Sequence, residues 1–264
     1  MKKRFNEHHF DEKDGFYYST NRAPGLRQSP QAIALTLGLV PEDKIAGLVD
    51  RLVEDIQQRR KGHFWVGILG MEAIADALCE NGRADVAYAA HLRDVGPSLG
   101  NMIREGATTL WEDYSLGNAR SLNHKMFATP LGWMARYVAG LHVEGVLGEG
   151  PGFRKAVISP YPVPEQIKFA QLDYDSPMGR YHSGWRMTDN GMAYDIVIPP
   201  NATALFRLPL LGKKDAIVSE AGKILWQNGK PAEKVDGVST PAQEIDRLVF
   251  TLGSGSYSFL VKGN

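Results

Sequence analysis

Apolar residues change their period once along this 264-residue chain, near Gly148-Glu-Gly-Pro-Gly152, and that change implies two domains of different class. Upstream they recur every three or four residues, the spacing of one helical face. Ile45, Leu48, Val49, Leu52, Val53 and Ile56 form the clearest set. Pro41 opens that segment, Glu42 and Asp43 suit the positive end of its dipole, and Gly62 ends it after Arg59, Arg60 and Lys61. Residues 31–40 are apolar nearly all round, the pattern of a helix buried on both sides. Further helices are predicted over 71–80, closing at Asn81-Gly82, and over 83–92, before Gly96-Pro97. Another is predicted over 124–139, with Phe127, Leu131, Met134, Ala135 and Val138 on its face and Gly140 at its end. Hairpins whose inner members are more apolar than their outer ones predict part of an α/α toroid over 1–147.

Downstream, Pro and Gly punctuate short runs of Val, Ile, Tyr, Phe and Leu. Strands are predicted from Ala156, Gln166, Gly179, Ala193 and Ala202, then over 216–226, 248–252 and 256–261. Asp189-Asn190-Gly191 is a hairpin turn, because Asn and Gly tolerate positive φ. This spacing predicts an antiparallel β-sandwich over 148–264, so the chain is an α + β multi-domain protein.

Composition then removes several function classes. Thirty basic residues balance 30 acidic ones, which leaves no electrostatic footprint for nucleic acid. No stretch approaches the roughly 20 apolar residues that span a bilayer, so no membrane partner is expected. The basic N-terminus lacks the apolar run of a secretory signal, and as written the chain reads as cytoplasmic. The single cysteine, Cys79, sits among apolar neighbours and reads as a buried, inert thiol. Gly148-x-Gly-x-Gly152 has a helix before it and a strand after it, the reverse of a phosphate loop. His8-His9 has no acidic or cysteine partner at ligand spacing. Neither a metal nor a cofactor is expected.

The candidate chemistry lies in loops that enter inner helices. Glu112 follows Trp111 and precedes Asp113-Tyr114. An aromatic face packs on the C–H surface of a pyranose, carboxylates accept its hydroxyl hydrogen bonds, and a carboxylate can activate water at an anomeric carbon. Asn123 and His124 open the next inner helix, and His63-Phe-Trp65 enters the one before. On residue types alone two readings stand: Glu112 as a site base or a surface acid, His124 as a sugar contact or a capping histidine. Three such entries would converge at one mouth of a toroid.

The residues in order are Leu37-Gly-Leu-Val-Pro-Glu-Asp43, Gly67-Ile-Leu-Gly70, Glu80-Asn-Gly-Arg83, Gly106-Ala-Thr-Thr-Leu-Trp-Glu112, Ser121-Leu-Asn-His124, Tyr174-Asp-Ser-Pro177 and Ile198-Pro-Pro-Asn201. With these the chain resembles the C-terminal part of a bacterial α-L-rhamnosidase of glycoside hydrolase family 78. The resemblance implies an (α/α)6 barrel, present in part, followed by a β-sandwich. It implies inverting hydrolysis of terminal α-L-rhamnosides, with a rhamnose-containing glycoside or oligosaccharide as substrate. Glu112 matches the family's general base, Trp111 the aromatic beside it and His124 a sugar contact; Asn123, Trp65 and His63 are further candidates for substrate binding. The family's general acid lies in an Asp- and Arg-rich motif that this sequence does not contain. The alternative is a non-catalytic carbohydrate-binding or assembly module. In either case the expected state is an oligomer, or a half-barrel completed by another chain.

Overall fold

Helices and strands segregate along the chain, as the two periods predict. A computed structural model describes residues 1–18, 25–143 and 151–263, and places them in two units, Met1–Trp133 and Met134–Asn264. The first unit begins with α1 (Lys2–His9) and a short ribbon of β1 (Phe10–Asp11) and β2 (Phe16–Tyr17). It continues with α2 (Gln28–Thr36), α3 (Glu42–Glu54), α4 (Ile68–Glu80), α5 (Ala84–His91), α6 (Leu99–Arg104) and α7 (Thr129–Trp133).

The face predicted over 45–56 buries Leu48, Val49, Leu52, Val53 and Ile56, and a π-helical turn, Asp55–Arg59, extends α3. The helix predicted over 31–40 differs from expectation. It starts earlier, at Gln28, and ends at Thr36, leaving Leu37 63% exposed. Two of its buried side chains are glutamines. The Gln31 Oε1 accepts the Tyr17 N–H at 2.8 Å, and its Nε2 donates to Tyr17 O at 2.8 Å, as a neighbouring strand would. Helix α2 packs closely on α4 at Gly70, where a Cβ would stand 2.3 Å from Ser29 Oγ. Buried small residues of α4, Ala73, Ala75 and Ala77, permit the approach. Cys79 is fully buried, and its Sγ accepts the Trp133 indole N–H at 3.3 Å.

The single helix predicted over 124–139 is broken into a 3-10 turn (Lys125–Ala128), α7 and a π-helical turn (Met134–Val138) in the second unit. Its buried residues are Phe127, Pro130, Trp133 and Tyr137, whereas Leu131 is 65% exposed. Aromatic rings bury more area than Leu or Met, and so decide which side of the segment turns inward.

The second unit comprises β3 (Leu141–His142), β4 (Lys155–Ile158), β5 (Phe169–Ser176), β6 (Gly179–Thr188), β7 (Gly191–Ile198), β8 (Thr203–Pro209), β9 (Ile217–Glu220), β10 (Lys223–Gln227), β11 (Lys230–Pro231), β12 (Ala242–Gln243), β13 (Arg247–Leu252) and β14 (Gly255–Lys262). Among the described residues they form a seven-stranded sheet, β11-β10-β9-β14-β7-β6-β5, and a five-stranded sheet, β12-β13-β8-β4-β3. The sandwich is not purely antiparallel, since β4 and β8 pair in parallel. The predicted strand at 166–170 begins only at Phe169, because the N–H groups of Gln166 and Ile167 turn back to Val163 O. The run at 216–226 divides at Ala221-Gly222. Asp189-Asn190 does close the β6–β7 hairpin, with the positive φ, 136°, at Gly191. Trp185, Tyr181, Tyr194, Phe206, Phe250 and Phe259 fill the core between the sheets. Arg247 is half-buried at the edge of this core and donates to Ser159 Oγ, Pro160 O and Arg207 O.

The period change read at 148–152 falls largely outside the described residues; by packing, the unit that holds the strands begins upstream at Met134. Among the described residues, no helix is long and apolar enough to cross a membrane.

Candidate active site

Helix α6 ends at Arg104, and Gly106, with a φ of 87°, lets the Gly106 and Ala107 N–H groups reach back to Ile103 O and Met102 O. The chain that leaves this cap is hydrogen-bonded to the segment before the 3-10 turn. The His124 N–H donates to Leu110 O at 2.7 Å, and the Glu112 N–H to Ser121 O at 2.9 Å. The Thr109 hydroxyl donates to Leu122 O. The two motifs read from the sequence are therefore the two edges of one small ribbon. Trp111 turns inward, 4% exposed, against Met71, Met102 and Phe127, and Glu112 next to it is exposed.

Glu112 lines a cavity of about 730 Å³ in the first unit. Its Oε2 accepts the Ser121 N–H at 3.0 Å, which fixes the carboxylate and leaves Oε1 for a water. Glu105 and Asp113 line the same cavity, with Trp65, Tyr114 and Arg27. The Glu105 carboxyl is held below the usual carboxylate range, chiefly by the Leu116 N–H at 2.7 Å and then by the Asn101 amide at 2.9 Å. A carboxyl kept ionised in this way is poorly suited to giving up a proton. Asp113 Oδ1 accepts the Ser115 N–H at 3.1 Å. The Tyr114 ring packs on Phe127 at 4.3 Å, and burial raises its hydroxyl well above the usual phenol range.

The aromatic on the cavity's rim is Trp65, 58% exposed. Its position is set from inside the fold. Its backbone N–H donates to Gln28 Oε1 at 2.7 Å, and the buried Gln28 amide donates in turn to Asp55 Oδ2 at 3.0 Å. The Arg60 guanidinium lies over its ring, 4.7 Å from the centroid.

The structure thus brings Glu112 and Trp65 to one cavity, and it places the other candidates elsewhere. Trp111 belongs to the packed cluster beneath the ribbon. His124 caps the 3-10 turn, its Nδ1 accepting the Met126 N–H at 3.2 Å. Asn123 is exposed, and its carbonyl accepts the Ser121 hydroxyl at 3.2 Å. The His63 ring packs on Gly96, whose backbone lines the cavity; burial and then Arg93 lower its pKa, against an opposing hydrogen bond to the Pro97 backbone. Sequence reading missed Glu105, Asn101 and Gln28. The available signal was the i,i+4 spacing of Asn101 and Glu105 behind Ser98, which caps α6 by accepting the Asn101 N–H at 3.1 Å. Among the described residues, no group of three or more His, Cys, Asp or Glu is placed to hold a metal ion.

Comparison with known proteins agrees with this architecture. Residues 1–138 match the family model for the bacterial alpha-L-rhamnosidase six-hairpin glycosidase domain, and residues 145–223 the model for the bacterial alpha-L-rhamnosidase C-terminal domain. An alpha-L-rhamnosidase of Alteromonas sp. (strain LOR) is 32% identical over 194 residues, 69% of this chain and 20% of the relative. The structure of alpha-L-rhamnosidase from Dictyoglumus thermophilum superposes with a TM-score of 0.84 at 30% identity, covering 99% of this chain and 28% of that one. The Streptomyces avermitilis alpha-L-rhamnosidase complexed with L-rhamnose gives 0.79 at 25% identity, covering 99% and 23%. The chain spans about a fifth of the length of the curated relatives it matches.

Proposed function

This chain belongs to the bacterial alpha-L-rhamnosidase six-hairpin glycosidase family, and from that premise we propose that it takes part in the inverting hydrolysis of terminal α-L-rhamnosides, with Glu112 as general base. The observation that carries the reading is the Glu112 carboxylate, exposed in a cavity with one oxygen fixed by Ser121 and the other open. That open oxygen takes a proton from water as the water attacks the anomeric carbon. Inversion also needs an acid across the sugar ring, about 6.5–9.5 Å from the base, to protonate the leaving oxygen. Glu105, whose hydrogen-bond donors favour its ionised form, is not assigned that part, and the reading places the acid outside this sequence. Trp65 is the aromatic that meets the apolar face of the sugar. Trp111 and His124 support the base from the ribbon's other side and its far edge.

The test is hydrolysis of an aryl α-L-rhamnoside, with L-rhamnose titration in parallel. Turnover by this chain is expected to be poor, and affinity weak, on the order of millimolar or about −4 kcal/mol. Whatever turnover exists should fall about 10²–10⁴-fold in Glu112→Gln with the melting temperature unchanged. Unchanged turnover in that variant, or no L-rhamnose binding by the chain, sinks the proposal.

A second reading, an assembly module, has its own observation. Leu99, Met102, Ile103, Ala107 and Leu110 line an open apolar groove of about 300 Å³, with Ile103 71% exposed. Under that reading another helical chain or a second copy covers the groove. A monodisperse monomer by light scattering, with cooperative melting, would remove it.

A further inference from the structure

Glu105 is an exposed acid with an unusual number of partners. Its Oε2 accepts the Leu116 N–H at 2.7 Å and the Ser115 hydroxyl at 3.4 Å, and its Oε1 accepts the Asn101 amide at 2.9 Å. The same Asn101 amide donates to Tyr114 O at 3.0 Å. Together these contacts tie residues 114–116 to the end of α6. The loop involved departs from the ribbon at Glu112 and returns to it at Ser121. At its base it is closed by two hydrogen bonds, Glu112 N–H to Ser121 O and Ser121 N–H to Glu112 Oε2. Two hydrogen bonds on an open surface fray easily, because water competes for every group in them. The loop also carries a turn of its own, Asn118 and Ala119 N–H to Ser115 O, which begins at a residue that Glu105 holds. Fixing 114–116 therefore fixes the start of that turn and the path by which the chain reaches Ser121.

We propose that Glu105, aided by Asn101, is a positioning residue for Glu112: its carboxylate anchors residues 114–116 to α6 and so keeps Glu112 seated against Ser121, with the open oxygen presented to the cavity before a sugar arrives. The chemistry suits the task. A carboxylate has two oxygens and several lone pairs, so it can collect a backbone N–H, a hydroxyl and an amide at once. Charge-assisted hydrogen bonds of this kind are roughly twice as strong as neutral ones. Those donors favour the ionised form, which is why the carboxyl lies below its usual range.

The proposal rests on the reading of Glu112 as the base, so its test does not use turnover. Backbone amide exchange is followed by NMR on the whole chain, wild type against Glu105→Ala and Glu105→Gln. Two amides report. Leu116 N–H is Glu105's own partner; Ser121 N–H is the partner of Glu112, and Glu105 does not touch it. Glu105→Ala should speed exchange at both, by about tenfold or more, while amides of α4 keep their protection. Glu105→Gln keeps one acceptor oxygen and should restore part of the protection at both. Acceleration at Leu116 alone would make Glu105 a local staple of its loop and overturn the proposal. If Glu105→Ala also loosens α4, Asn101→Ala decides: faster exchange at Ser121 with α4 intact supports the proposal, and no change there overturns it. Failure of the base reading would be seen separately, as unchanged turnover in Glu112→Gln with the exchange results standing.

Discussion

Phe206 in the strand unit and Trp111 in the helical unit are both large buried aromatics, and they are buried by different means. Phe206 is met from its own sheet and from the opposite one: Tyr194 and Phe259 lie 5.6 Å and 5.0 Å from it on one side, and Phe250 lies 6.4 Å away on the neighbouring strand. Among the described residues, the buried members of Trp111's cluster are Met71, Met102 and Phe127, with partly buried side chains such as Val66 and Leu110 around them, and Phe127 also lines the cavity. The sandwich thus finishes its core with its own strands. In the helical unit the core directly beneath the candidate base is thin and borders the cavity. Stability and site geometry are separable in one unit and share residues in the other.

The largest expected effect tests the closed core. Phe206→Ala should cost about 3–5 kcal/mol, read by urea unfolding monitored at the β7 amides. A loss below about 1 kcal/mol would mean that the strand unit repacks freely, against the dense contact of its rings. Trp111→Ala should cost about 3 kcal/mol, the low end for its type, because its cluster is small and open to relaxation. It should also speed exchange at the Ser121 amide, since the ribbon loses its inner support. If the sugar contact implied for Trp111 by family resemblance were its whole role, L-rhamnose affinity would drop with stability unchanged.

Acid sharpens the contrast further. His91 is half-buried, its ring packed against Phe64 and Trp133, and desolvation there pushes its pKa down to about 4. The unfolded chain takes up a proton near pH 6.5, whereas the folded unit resists it. Stability of the helical unit should therefore be full above pH 6.5 and fall as pH drops toward 4, by up to roughly 3 kcal/mol. His91→Phe should flatten that limb in a melting series from pH 7 to pH 4; a parallel limb in the variant would assign the acid sensitivity elsewhere. The smallest effect belongs to the rim. Trp65→Ala should move stability by less than about 0.5 kcal/mol while weakening L-rhamnose binding several-fold. An unaltered titration would take Trp65 out of the site.

Much of the fold was legible because it rests on periodicity and punctuation. The face Leu48-Val49-Leu52-Val53 emerged from its spacing, and Asn81-Gly82 and Asp189-Asn190-Gly191 marked real turns. What escaped depends on partners far away in sequence. Gln28 and Gln31 are buried because their amides replace backbone partners at Trp65 and Tyr17, and apolar counting passes over such residues. The break at 125–138 followed from three-dimensional competition between rings and aliphatic chains. At the site, the motif singled out Glu112 as a candidate, while the inward turn of Trp111 depends on the hydrogen bonds to 121–124. The i,i+4 spacing of Asn101 and Glu105 was there to be read, but Glu105's partners at Ser115 and Leu116 were not, because only the folded loop brings them back to it.

The parallel pair of β4 and β8 has a consequence for the order in which the second unit can assemble. Between these strands the chain makes β5, β6 and β7, which form a local antiparallel meander and can close as each hairpin emerges. The five-stranded sheet closes locally only at its two ends, in the short pairs β3–β4 and β12–β13. β4 must wait for β8, and β8 must wait for β13 before its second edge is covered. Pairings this distant close slowly, since the entropy of a long loop is lost before any contact compensates it. On a ribosome, Phe206 would stay unsheltered until Phe250 and Phe259 had been synthesised, so the unit's aromatic core is also the part of the chain longest exposed to misassociation.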